Sequence, residues 1–320
     1  MSKERNPFFK KYIQEGLVDW QVALDIKKDI EERYRPEFEN GNLDVEFLES
    51  YEARKVWELQ QATEKISKGL LLMYGGTLII PFMLIATLRG FDKRHPRHME
   101  ELENIAEEYF RSSALRREVE SLGHTPISKS KIPELLEKLQ QLYRKYFHEY
   151  QIAKCYKAVE NYIRSGLKDR TWDNLWKIVL ECEKTDLRKY GRDVLSLTRE
   201  CLSDEGKCNE IKQKLGVILE KPYIVNFSLV LVEEYIKELL DLMLATTYLE
   251  PVSSVARYGA MSPQDEIKRK VLLDAVSNQE KLISFLEVKI RIVKNLLGND
   301  EIMENLETMY NFFEDVNKER

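Results

Sequence analysis

The chain has 320 residues, one third of them charged, with 43% apolar residues and a formal net charge of −5. That composition is too apolar for wholesale disorder, long enough to bury a substantial core, and too near neutrality for general nucleic-acid binding. Thirteen Gly and nine Pro leave little material for tight turns, which favours long helices over strands.

In chain order, Asn6-Pro7 is a helix start, with a capping side chain and a proline preset at the first helical position. Gly16 is expected to end that first helix. Trp20, Leu24, Ile26, Ile30 and Tyr34 then recur at near-helical spacing until Pro36 stops the run. Asn40-Gly41-Asn42 marks a turn and Asp44 a cap. From there Leu48, Tyr51, Lys55, Leu59, Ala62 and Ile66 mark one face of a helix, with Glu64 and Lys68 as a favourable i,i+4 pair.

That helix leads into Gly69–Leu88, twenty residues without a charge. Twenty residues of helix at ~1.5 Å each would match the ~30 Å hydrocarbon core of a bilayer. Gly75-Gly76 and Pro81 disfavour a simple straight span and suggest a break, so a re-entrant or half-buried segment is one reading. The other is a segment buried inside a helical core. Lysine and arginine are balanced over the twenty residues on either side, and the closest flanks only weakly favour the C-terminal side as cytoplasmic. Beyond the run stand Arg89, Lys93, Arg94 and Arg97, a basic cluster suited to anionic headgroups or to an ordinary solvated turn.

His95-Pro96 can open a helix carrying Met99, Leu102, Ile105, Ala106, Tyr109 and Phe110, closed by Gly123. His124–Pro133, with two prolines and no periodicity, reads as a linker. It divides a helical region 1–123 from a C-terminal helical bundle 124–320. In the latter, a helix from Pro133 to Ser165 ends at Gly166, and Trp172, Leu175, Trp176 and Val179 begin another. Phe227–Leu249 is strongly apolar but interrupted by Glu233, Glu234, Lys237, Glu238 and Asp241, which suits a central core helix better than lipid. A loop is expected from Glu250-Pro251 to Ser262-Pro263. Leu272, Val276, Ile283, Leu286, Ile290, Val293 and Leu297 then form a heptad seam broken by Gln279. That seam would either join two chains or pack within this one. Gly298-Asn299-Asp300 separates it from a last helix.

Candidate chemistry is sparse. Cys155, Cys182, Cys201 and Cys208 lack Cys-x-x-Cys spacing and read as helix residues of a protein in a reducing compartment. The first twenty residues contain no apolar run of a cleaved secretory signal. His95 and His98, with Glu100 and Glu101 near, have no second carboxylate–histidine motif to complete a di-metal site, and His148 reads as a helix-surface residue. Arg89 with His95, or Arg117 with His124, has the spacing of helical HEPN-type ribonucleases. No cofactor motif is present.

The run Gly75-Gly76-Thr77-Leu78-Ile79-Ile80-Pro81-Phe82, set between helical halves, resembles the membrane segment of LETM-type proteins. The resemblance implies a helical, membrane-embedded protein of cation homeostasis or ribosome binding. The family's Pro-rich continuation is replaced by Arg89-Gly90-Phe91-Asp92, and no functional residue carries over.

These observations lead to an all-α, multi-helix bundle with one strongly apolar segment of membrane length. The expected function is that of a membrane-associated, non-catalytic scaffold or adaptor with most of its chain cytosolic. Its partner would be a protein, an anionic membrane surface or a second copy of itself. The alternatives are a soluble cytoplasmic helical enzyme with 69–88 as core, and an ion-handling or ribosome-binding protein of the LETM type.

Overall fold

The computed structural model describes residues 8–74, 137, 150–184, 237–258 and 263–304. Those residues are helical with no strand among them, so the chain is all-α as its composition implied. The helices are α1 (Phe8–Asp29), α2 (Arg35–Glu39), α3 (Val45–Tyr74), α4 (Tyr150–Arg164), α5 (Trp172–Glu183), α6 (237–249), α7 (Val252–Tyr258), α8 (Pro263–Ser277) and α9 (Gln279–Leu297), with a last turn at 300–304.

Three local expectations need correction. Gly16 does not end α1, which runs on to Asp29. Pro36 does not stop the helical path either. A π-helical turn, Ile30–Tyr34, widens the helix just before it, and the Arg35 amide donates to the Ile30 carbonyl five residues back. Pro36 then stands at the start of α2, where a missing amide hydrogen costs nothing. The loop expected after Pro251 is helical from Val252 to Tyr258. Proline breaks α6 but is equally suited to stand just before a new helix, where Ser253 donates its amide to the Glu250 carbonyl.

Other punctuation is as read. Gly41 takes φ 75° in the turn between α2 and α3, and Asp44 caps α3 by accepting from the Phe47 amide at 2.7 Å. Two caps were not read from the sequence: Thr171 caps α5 by accepting from the Asn174 amide, and Asn299 caps the last turn through the Ile302 amide. The Asn6-Pro7 start, Gly123 and the segment His124–Pro133 lie outside the described residues.

The tightest pairing is between α1 and α3. A Cβ added to Gly16 would lie 2.7 Å from Ile66 Cγ1 and 2.9 Å from the Ala62 carbonyl. A Cβ on Gly69 would lie 2.5 Å from Ile13 Cγ1 and 2.8 Å from the Phe9 carbonyl. Each glycine therefore admits the backbone of the other helix, and two such notches fix α1 antiparallel on α3. Ile13, Ala62 and Ile66 are fully buried there. Burial of this apolar surface outweighs the ~1 kcal/mol that each glycine costs a helix.

The expected boundary between 1–123 and 124–320 lies outside the described residues, but the described helices on its two sides share one hydrophobic cluster. Ser67 on α3 hydrogen-bonds Thr246 on α6 at 3.1 Å, both hydroxyls buried. Lys27 reaches Glu280 at 2.6 Å, and Gln279 donates to Glu52 at 3.5 Å. Helix α6 is buried on every side from Glu238 to Leu249, as a central helix requires.

Candidate functional site

Charge is buried in this bundle at several levels. On α6, Asp241 is wholly buried and accepts both Lys289 at 2.6 Å and Lys237 at 3.0 Å through one oxygen. Lys237 also approaches Glu183 of α5 at 3.6 Å, and the Lys289 ammonium stands 5.5 Å from the centre of the Phe285 ring. Burial pulls the Lys237 ammonium down, but Asp241 outweighs it and leaves its pKa above the ordinary value. On α3, Lys55 pairs with Glu52 at 2.6 Å and Lys68 with Glu64, the i,i+4 pair read from the sequence. Burial wins at Lys55, whose pKa falls despite Glu52.

Further buried polar groups close helix ends. The Arg170 guanidinium donates to the carbonyls of Thr247, Ile163 and Ser165, joining the ends of α4 and α6. Asp274 accepts the Tyr248 hydroxyl at 2.6 Å and the Trp172 amide at 2.8 Å, so a residue of α8 supports the start of α5. Burial and then Asp274 raise the Tyr248 pKa, so its hydroxyl stays a donor. Cys155 and Cys182 are buried and free; contact with Cys155, then burial, holds the Cys182 thiol protonated. A protonated, covered thiol is a poor nucleophile. These groups hold helices together, and no group of His, Cys, Asp and Glu among the described residues is arranged to hold a metal ion.

Two features face outward. An open groove of about 430 Å³ lies on α3 and α7, lined by Ser50, Tyr51, Arg54, Trp57 and Ala256. Beside it Tyr34, Phe47 and Tyr51 pack against one another with ring centres 4.5–5.3 Å apart, closing the α2–α3 turn. The second feature is an apolar strip between α5 and α9. Trp176 stacks on Trp172 and meets Phe285 edge-on at 6.0 Å, yet is 37% exposed. Leu180, one turn further on α5, and Val288, one turn beyond Phe285, are 40% and 43% exposed.

The seam residues Leu272, Ile283, Leu286, Ile290 and Val293 are buried within the chain, with Val276 and Leu297 packed against the same cluster. The heptad run is two helices, interrupted at Asn278, whose side chain turns back to the Asp274 carbonyl. Gln279, the polar break, sits at that interruption and reaches α3. The basic cluster Arg89, Lys93, Arg94 and Arg97, the HEPN-like pairs and all four histidines lie outside the described residues. Of the apolar run, Leu70–Met73 continue α3 and are buried, none more than 7% exposed; residues 75–88 lie outside. Among the described residues no helix is long and apolar enough to cross a membrane.

Sequence reasoning placed Trp176 on the apolar face opening α5 and missed its exposure. It missed the groove altogether, because that depends on α7 standing where a loop was expected. Compared with protein-family models, curated proteins and solved structures, the chain matches none. The LETM-type resemblance therefore rests on Gly75–Phe82 alone.

Proposed function

We propose that the protein is a non-catalytic helical scaffold that works by binding and rests half-inserted in an anionic membrane surface through residues 74–88. The observation that carries this reading is the bonding of α3 to α6, in which Ser67, just before the apolar run, meets Thr246, far beyond it. Helices on both sides of the run share one core and must lie on the same side of any membrane. A single crossing through 69–88 would separate them. Burial of Leu70–Met73 by the protein itself leaves fifteen uncharged residues, Tyr74–Leu88. As helix these would rise about 22 Å, short of the ~30 Å hydrocarbon core. A segment that enters and does not cross satisfies both constraints, and Arg89, Lys93, Arg94 and Arg97 would then follow at headgroup level. Free, buried Cys155 and Cys182 suit a reducing, cytosolic face.

Flotation of the full chain with anionic vesicles tests this. Binding should fall with salt, and changing the four basic residues to Gln should weaken it by several kcal/mol, at about 1 kcal/mol each. A detergent-free monomer that stays behind when anionic vesicles float contradicts the proposal.

One observation favours a second reading. Burial of Leu70–Met73 is also what a wholly internal segment requires, which would make the protein a soluble helical binding module. The HEPN-type and LETM-type alternatives rest on residues outside those described and gain nothing from the geometry.

A further inference from the structure

We infer that the α2–α3 tip, residues 31–51, is a docking surface for a basic segment of a partner protein that carries apolar anchors. The inference rests on the reading of the chain as a binding scaffold, and not on its membrane contact.

From Glu31 to Tyr51 no residue is buried, although buried Ile30 and Glu52 stand at the two ends of the stretch. Val45 and Phe47 are 50% and 37% exposed, and Phe38, Leu43 and Leu48 are only half-buried. The tip is nonetheless firmly built. The π-helical turn Ile30–Tyr34 brings Tyr34 against Phe47 and Tyr51, and the two tyrosine hydroxyls stand 3.4 Å apart. Exposed apolar side chains gathered in one place mark an interaction site, and a surface that is rigid beforehand loses little freedom on binding. The groove at Ser50, Tyr51, Arg54, Trp57 and Ala256 opens beside the same rings and offers a seat for an apolar anchor.

Charge selects what covers this surface. Residues 31–51 hold seven carboxylates and two guanidinium groups, a balance of −5. Both bases are engaged: Arg35 pairs with Glu52 at 3.5 Å, and Arg33 stands 5.6 Å from the centre of the Tyr34 ring. Arg54, the next base along α3, approaches Glu58 at 3.8 Å. Of the acids, Glu31 and Glu32 approach Lys27 and Lys28, and Asp44 caps α3. Glu37 and Glu39 on α2, and Glu46 and Glu49 on α3, are exposed and form no ion pair among the described residues. Counting Arg33 and Arg54 against these four still leaves the tip negative. Such a surface repels anionic lipid and, across a twofold axis, a second copy of itself. A segment with Lys or Arg around apolar residues meets both the carboxylates and the uncovered side chains.

The test uses the full-length protein and two labelled peptides of about eighteen residues. Both carry Leu at i, i+4 and i+7; one has Lys around the leucines and the other Glu. By fluorescence anisotropy at low salt, the Lys peptide should bind at least about tenfold more tightly, with the preference shrinking as salt is raised. E37Q/E39Q/E46Q/E49Q should lose that preference. E181Q/E287Q/E301Q/E304Q, which removes as many exposed carboxylates elsewhere, should keep it. V45D should weaken the Lys peptide even though it adds an acid, because docking needs the apolar side chain; its melting temperature should hold, since Asp suits the first turn of a helix. Equal binding of the two peptides, loss of preference in both quadruple variants or in neither, or wild-type binding by V45D overturns the inference. So does sedimentation showing a wild-type dimer that V45D dissolves, since the tip would then belong to a second copy. Failure of vesicle flotation leaves these outcomes unaffected, and loss of peptide preference says nothing against flotation.

Discussion

Two interfaces of this bundle are built on opposite principles. Between α1 and α3 the helices approach until backbone meets backbone, with Gly16 and Gly69 in the gap and Phe9, Ile13, Ala62 and Ile66 around them. The ion pair of Lys65 with Asp19, at 2.7 Å, lies at the edge. Between α6 and α9 the contact is made by charge, and Asp241 binds two ammonium groups, Lys237 of its own helix and Lys289 of α9. The first interface tolerates no added atom, and the second no lost charge. Dry, close packing stabilises by area and shape, whereas a buried ion pair adds little over apolar residues yet makes its own disruption severe.

The contrast has meaning only if both interfaces belong to one core, and the largest effect tests that. Fragments 1–123 and 124–320, expressed separately, should each lack a cooperative thermal transition by circular dichroism, since helices from both fill a single cluster. A sharp transition in 124–320 alone would show that the C-terminal helices close their own core.

Next comes the charged interface. Asp241→Ala leaves Lys237 and Lys289 without their shared carboxylate and should cost about 3–5 kcal/mol in urea unfolding. Replacing all three by Leu or Met should cost far less, because no charge is then left uncompensated. Equal losses in the two variants would assign the effect to packing.

At the close-packed interface, Gly16→Ala and Gly69→Ala should each destabilise. The new methyl meets a carbonyl at 2.8–2.9 Å, and overpacking costs about 1–3 kcal/mol, against roughly 1 kcal/mol of gained helix propensity. Gly298 is the control. Its φ is −84° and the nearest atom to an added Cβ is 3.4 Å away, so Gly298→Ala should leave stability nearly unchanged.

The smallest effect is at Asp19. Burial, more than Lys65 offsets, raises its pKa above 3.8, so the folded protein holds this proton more tightly than the unfolded chain. The stability it contributes is present below pH 3.8 and lost as pH rises through the folded value. At neutral pH Asp19→Asn should therefore be neutral or slightly stabilising in a melting experiment, and a clear loss would show that the Lys65 pair dominates.

The same contrast explains what could be read from sequence. The central place of α6 was legible because charges interrupt its apolar run, and their cost at bilayer depth pointed to a protein core; that Lys237 and Lys289 would share Asp241 was not. Spacing alone exposed the seam on α8 and α9. Gly16 was not legible: glycine ends helices and also opens room between them, and only the facing Ala62 and Ile66, some fifty residues away, decide which. Pro36 and Pro251 are similar, since a proline that breaks one helix is suited to the start of the next. The exposure of Trp176 depends on which neighbours cover a face, and periodicity does not encode that.

The central claim is that the apolar run enters a membrane without crossing it, and protease digestion of the full chain bound to sealed anionic vesicles tests it most directly. Antibodies to a tag at each terminus would follow the two ends. The shared core of α3 and α6 requires both ends to face the outside, so both tags should be removed by protease added outside, with no change when detergent opens the vesicles. One tag protected until detergent is added would place the two ends on opposite sides, and the account would fail.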